Sequence, residues 1–300
     1  MRSLIKMLLG LEISPQSASA VLADADGAAQ FALQVDFAPG APPATQWIAA
    51  MELCRNLLHR ASIESGAVAR LGIAFTAPVS PAGIVLKDPT HPGWQGYDLA
   101  RGAREHLGIE NVVAASRVVC ESRGEARFGA LRGQNDWLYL HLGAELESAL
   151  CVGGTLVIGN GGAGDVGGQI IERDGALDAF GGRGTLRAYC GALAFESRAR
   201  SYGLTFAKAD AIWNAADANF AAQSLVEDFS SRLAQGLAGA VSLFEPAQIC
   251  VGGAFGTAIW PRLQVVLESK LRDMAPPFAP EPVWVQAQLG DDAACLGALL

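Results

Sequence analysis

The stretch from Trp137 to Gly168, WLYLHLGAELESALCVGGTLVIGNGGAGDVGG, restricts the folds open to this chain more than any other. Its first six residues alternate large side chains as a strand does, ALCV and TLVI are apolar runs joined by Gly153-Gly154, and a glycine cluster follows. The pattern predicts a strand, a hairpin and then a loop. In nucleotide-binding proteins a turn of this kind turns backbone N–H groups toward a phosphate, and Gly or Thr lets the oxygens approach. Here the turn from Gly143 to Ser148 carries Glu145 and Glu147, two carboxylates where phosphate would sit. At ~4 Å and an effective dielectric of about 20, each Glu–phosphate pair costs about 4 kcal/mol.

A chain of 300 residues with 51% hydrophobic and 17% charged residues can fill a large core. The net charge of −8 and the lack of any Lys/Arg run oppose binding to nucleic acid or anionic lipid. Six cysteines, at 54, 120, 151, 190, 250 and 295, are widely spaced without a Cys-x-x-Cys, which predicts reduced, buried thiols and a cytoplasmic protein. The opening MRSLIKMLLGLEI resembles the start of a signal peptide, but Glu12 cuts the apolar run and no small-residue cleavage site follows. No apolar run approaches the ~20 residues of a membrane helix.

Along the chain, Lys6 to Ile13, Ser19 to Leu22 and Ala28 to Val35 read as an antiparallel meander, with Asp24-Ala25-Asp26-Gly27 as a turn. Thr45 is the expected N-cap of a helix with Trp47, Ile48, Met51, Leu57 and Leu58 on its apolar face. A strand at Leu71 to Phe75, a helix at Leu99 to Leu107 and a strand at Asn111 to Ala114 follow. The second half repeats the scheme, with a long helix over Ala218 to Phe244, strand QICV, helix Leu263 to Leu271, strand Val283 to Val285 and a last helix from Asp291 or Asp292. This order predicts an α/β protein of two βββαβα domains around a cleft, the default ligand site. The expected domains are 1–115, completed by a C-terminal helix at about 290–300, and 116–289.

The motifs LGLEI…SAVLADADG, LGIAFTAPVSPAGIVL, GWQGYDL, GEARFGALRG, NGGAGDVGG, GGRGTLRAYCGA, ICVGGAFG and LGDDAACLGALL stand in the order and spacing of the ROK family, whose members are repressors and sugar kinases. The resemblance runs along nearly the whole chain. It implies the actin-like ATPase (ribonuclease H-like) fold, a homodimer, and a sugar and Mg-ATP as ligands of active members.

The functional positions depart from the family. Its Asp-x-Gly-Gly-Thr hairpin reads Glu12-Ile13-Ser14-Pro15-Gln16 here, and Pro15 has no N–H and a fixed φ. The resemblance places the catalytic base at Arg117, which cannot take a proton at neutral pH. It places the structural zinc ligands at Gly168, Asp178, Phe180 and Thr185, so no zinc is expected. The sugar-contacting positions become Asp165, Gly168 and Arg187; Gly252 and Gly253, beside adenosine in the family, are retained, though a strand-to-helix turn requires small residues there in any case.

These readings predict a ROK-fold protein without phosphoryl transfer, ATP or metal and with no catalytic residue, which acts by binding either a protein or, in a cleft lined by Asp165, Arg117 and Arg187, a sugar or small anion. Two acids exchanged for guanidinium groups favour an anionic ligand, unless Arg187 pairs with Asp165. The alternative is an ATP-dependent sugar kinase, like a glucokinase or N-acetylhexosamine kinase, with a rebuilt site. A ROK regulator is disfavoured by the acidic charge and by the short stretch ahead of the first strand, which leaves no space for a helix-turn-helix.

Overall fold

The computed structural model describes residues 7–24, 26–205 and 208–300. The expected start of the first strand at Lys6 and the turn residue Ala25 lie outside them. Strands β1 (Met7–Ile13) and β2 (Ser17–Ala23) form a hairpin closed by Ser14-Pro15-Gln16, and β3 (Ala29–Asp36) adds to the far side of β2. Helix α1 (Pro43–Arg60) starts before the expected cap: Pro42 is the N-cap, and Thr45 lies inside the first turn. Pro43 suits that first position because its missing N–H has no helical partner there anyway. Trp47, Met51, Leu57 and Leu58 are buried, whereas Ile48, expected on the apolar face, is exposed.

Strand β4 (Val68–Phe75), helix α2 (Leu99–Leu107), strand β5 (Val112–Ser116) and helix α3 (Arg117–Phe128) complete this half. The Asp98 carboxylate accepts the Arg101 N–H at 2.8 Å and caps α2, which ends on Gly108 at φ 66°. The sheet order is β3-β2-β1-β4-β5, with β1, β4 and β5 parallel.

The second half begins with β6 (Trp137–Leu142), β7 (Leu146–Val152) and the two-residue β8 (Thr155–Leu156). Helices α4 (Arg187–Cys190), α5 (Ala192–Ser201), α6 (Ala209–Asn214) and α7 (Phe220–Phe244) follow. Then come β9 (Gln248–Gly252), α8 (Ala254–Met274) and β10 (Val283–Gln286), giving the order β10-β9-β6-β7-β8. Asn219, whose side chain accepts the Ala222 N–H at 3.1 Å, sets the start of α7. Phe195, Trp213, Phe229 and Phe255 interlock at its centre with ring centroids 5.3 to 6.3 Å apart. Burying each such ring contributes roughly 1.5–3 kcal/mol.

The last helix, α9 (Ala293–Ala298), packs against α3, β1 and β4 of the first half. The approach is so close that a Cβ at Gly10 would strike the Cys295 carbonyl, one at Gly72 the Ala298 carbonyl, and one at Gly297 the Cys120 carbonyl. Glu125, fully buried, ties the segment before α9 to α3 by accepting the Leu289 and Ala130 N–H groups at 2.8 and 2.7 Å. The chain therefore divides into one unit holding the residues up to Arg132 with Ile158–Ala163 and Leu289–Leu300, and a second holding Gly133–Val157 and Gly164–Gln288. The first unit extends past the expected boundary at residue 115 because α3 is the helix on which α9 packs. All six cysteines are buried and unbridged, and burial pushes the Cys54 and Cys120 thiols up to about 12. No helix among the described residues is long and apolar enough to cross a membrane.

Candidate functional site

In the first unit the β1–β2 turn is closed by its own hydroxyl. Ser14 Oγ accepts the N–H groups of Gln16 and Ser17 at 3.3 and 3.0 Å, and the Ser14 N–H donates to the Ser17 carbonyl at 2.9 Å. The Pro15 carbonyl accepts from Gln46 Nε2 at 3.4 Å. None of residues 14 to 16 takes the positive φ available to glycine. The N–H groups of Gln16 and Ser17 are thus engaged by the Ser14 hydroxyl, and Pro15 between them and Ser14 has no N–H to offer a phosphate.

Arg117, at the position the resemblance assigns to the base, is the first residue of α3, after the N-cap Ser116. Its Nε lies 3.7 Å from Glu121 Oε1, a pair one helical turn apart.

In the second unit the expected acidic turn resolves differently from its sequence reading. Only Gly143, Ala144 and Glu145 lie between β6 and β7. Glu147 is a strand residue opposite His141, because the antiparallel pairing of Leu142 with Leu146 starts the ladder early. Ser148 Oγ then joins β7 to the glycine loop, donating to the Gly164 carbonyl at 2.8 Å and accepting the Val166 N–H at 2.7 Å.

That loop delivers Asp165 to Arg187. Arg187 Nη2 donates to Asp165 Oδ2, and its Nε lies 3.8 Å from Asp178 Oδ2. The guanidinium also covers the Phe180 ring at 4.4 Å. A Cβ at Gly168 would lie 3.9 Å from Arg187 Nη2, an ordinary contact distance, so the guanidinium passes beside this position without requiring glycine there. Arg187 is 7% exposed and pairs with Asp165, the alternative the sequence left open, and Arg117 in the first unit lies beside Glu121.

Three of the four positions the resemblance gives to zinc ligands, Asp178, Phe180 and Thr185, share one hydrogen-bonded knot. Asp178 Oδ1 accepts the N–H groups of Phe180 and Gly182 at 2.9 and 2.7 Å, and Oδ2 accepts from Thr185 Oγ1 at 2.6 Å. Arg183 Nη1 donates to the Gly175 carbonyl at 3.0 Å and fastens the same loop. Burial, the largest influence, and the nearby Glu147 raise the Asp165 carboxyl above the usual carboxylate range, and Arg187 counteracts them only in part. Among the described residues no cluster of three His, Cys, Asp or Glu has the arrangement to hold a metal ion.

Gly252 and Gly253 are demanded by packing. Gly253 has φ 80° and backs onto the Leu142 carbonyl, and a Cβ at Gly252 would strike the Tyr139 hydroxyl.

One constellation escaped the sequence reading. Asp88, His91 and Thr76 form a chain in the first unit: Thr76 Oγ1 lies 2.6 Å from His91 Nε2, and His91 Nδ1 lies 3.0 Å from Asp88 Oδ2. Thr90 donates to Asp88 Oδ1 from both its N–H and its hydroxyl at 2.7 Å. Burial alone would raise the Asp88 carboxyl, but these hydrogen bonds from His91 and Thr90 hold it below the ordinary range. The available signal was Asp-x-x-His next to prolines in a loop. The partner Thr76 ends an apolar strand and carries no signal of its own.

The ROK family pattern matches residues 8–300. A glucokinase of Thermotoga maritima is 28% identical over 236 residues, covering 72% of this chain and 73% of that protein. The ROK hexokinase of Thermus thermophilus superposes with a TM-score of 0.84 at 20% identity, over 98% of this chain and 97% of its own. A ROK glucokinase of Streptomyces griseus, in complex with glucose and AMPPNP, gives 0.81 at 22% identity, over 98% of both chains. Two mixed five-stranded sheets, ordered alike and matched to these structures over almost their whole length, are the actin-like ATPase fold of the sugar kinases. The chain belongs to the ROK family.

Proposed function

We propose that this ROK protein binds a sugar-type ligand without transferring a phosphoryl group. The observation that carries the reading is the Arg187–Asp165 pair: at two positions where the resemblance places acids that contact the sugar, an acid and a base neutralise each other. The bonds of the Gln16 and Ser17 N–H groups to Ser14 Oγ support it, since a phosphate would have to displace that hydroxyl to reach them. Arginine in place of an aspartate base supports it as well.

The second reading is an ATP-dependent sugar kinase with a rebuilt site. It is favoured by the relatives, which include a glucokinase 28% identical to this chain. Isothermal titration with Mg-ATP separates the two, followed by a phosphoryl-transfer assay on neutral hexoses and N-acetylhexosamines. The first reading expects no heat of nucleotide binding and no sugar phosphate at millimolar nucleotide. Saturable binding with turnover of any sugar establishes the second. Homodimer formation, which we propose from the family alone, is checked by light scattering.

A further inference from the structure

We propose that the first unit carries a nucleophilic centre, in which Asp88 and His91 activate the Thr76 hydroxyl toward the carbonyl carbon of a small carboxylic ester. The three groups have the mutual geometry that such chemistry requires. The hydroxyl is in hydrogen-bond contact with one imidazole nitrogen at 2.6 Å, and the other nitrogen is held by a carboxylate at 3.0 Å. The Asp88 side chain is 1% exposed and accepts two further hydrogen bonds from Thr90, so it remains an acceptor fixed in place. With Nδ1–H shared between Asp88 Oδ2 at 3.0 Å and Thr90 Oγ1 at 2.8 Å, Nε2 is left as the base that faces Thr76.

Aromatic packing flanks the imidazole as well. The Phe75 ring lies 5.7 Å from His91 and 4.8 Å from Trp94, whose Nε1 donates to Gln46 Oε1 at 3.2 Å. Thr76 directly follows β4, and its N–H donates to the Ile13 carbonyl at 3.3 Å, which prolongs the β1 pairing by one residue. It therefore stands at the carboxyl edge of the parallel strands β1, β4 and β5, the edge on which open α/β sheets bind ligands. His91 and Thr90 line a cavity of about 530 Å³ whose other walls include Phe37, Pro92, Gln16 and Gln46, and Thr76, itself buried and outside that lining, borders it through His91. That size and a largely apolar lining suit a small organic ligand rather than a chain.

The step balances without a redox partner. Thr76 Oγ1 bonds to the ester carbonyl carbon as its proton passes to His91 Nε2. Collapse breaks the carbon–alkoxy bond, and the departing alkoxide takes that proton. Water then attacks the acyl-threonine, again losing a proton to His91, and the acid and the free hydroxyl are released. Nucleotide and sugar play no part, so the test fails or succeeds separately from the proposed function.

The test is reaction of the whole protein with p-nitrophenyl acetate, followed by peptide mass mapping. An acetyl group on Thr76 is expected, together with a burst of p-nitrophenol. Thr76→Val abolishes that label and Thr76→Ser retains it. His91→Ala slows its formation by about a hundredfold or more, as expected for loss of a general base. Acetylation confined to lysines, or a Thr76 label that forms at an unchanged rate in His91→Ala, overturns the proposal. The wild-type map alone decides the point if a variant fails to fold.

Discussion

Asp88, buried in the first unit, and Asp165, half-buried in the second, are both carboxylates next to a basic side chain, yet their acidities shift in opposite directions. Asp88 receives hydrogen bonds from the Thr90 N–H, the Thr90 hydroxyl and His91, which compensate for its lost water. Asp165 has Arg187 and one N–H, from Gly167 at 3.0 Å, and it also faces the charge of Glu147. A formal ion pair thus does less for a buried carboxylate than several short-range donors, because a donor replaces hydration directly while a like charge subtracts from the pair.

The largest expected effect is at Arg187. Arg187→Ala leaves Asp165 and Asp178 without their cation and should cost about 3 kcal/mol in denaturant unfolding. Adding Asp165→Asn should restore part of this, since the stranded carboxyl disappears with it. A loss below about 1 kcal/mol in the single variant would place the Asp165–Arg187 pair among surface bridges and dissolve the contrast.

Next comes Asp178. Asp178→Ala removes the acceptor of two backbone N–H groups and the Thr185 hydroxyl, at a cost of about 2 kcal/mol. Loosening of residues 169 to 187, read by hydrogen exchange, should accompany it.

Acid titration sharpens the comparison directly. The Asp88 carboxyl is lowered in the fold, so its stabilisation is complete above the unfolded value of about 3.9 and is lost as pH falls through the folded value. Asp165 is raised, so its effect has the opposite sign: stability is gained as pH falls through its folded value toward the unfolded one. Asp88→Asn should cost about 1 kcal/mol at neutral pH and flatten the acid decline of stability. Asp165→Asn should steepen that decline. Parallel behaviour of the two variants would remove the distinction.

The smallest effect is expected at the first hairpin. Ser14→Ala releases the Gln16 and Ser17 N–H groups at a partly exposed turn, where water replaces the hydroxyl, for about 0.5 kcal/mol. Mg-ATP should still produce no thermal shift in this variant, because Pro15 persists. A shift would point to Ser14 as the obstacle to nucleotide.

Element order was legible from the sequence because it depends on local periodicity. Helix α2 has its expected limits, and β4, β5 and β9 lie where their apolar runs stand. Departures occur where a neighbour overrides the local signal. Pro43 rather than Thr45 starts α1, Glu147 joins a strand because its ladder partner is His141, and α8 extends well beyond its expected start, through Pro261.

The sequence by itself determined the family, through motifs whose order and spacing need no coordinates, and it singled out Arg117, Asp165 and Arg187 as candidate residues. Only the tertiary structure decided what the changed residues do. Asp165 and Arg187 are 22 residues apart and could have faced solvent separately; the fold brings them into contact. Thr76 and His91 are 15 residues apart and meet only because the segment carrying His91 folds back over the end of β4. Pattern in a sequence reports the period of a backbone, whereas the pairing of charges and hydroxyls depends on distances of a few ångströms that chain closure alone sets.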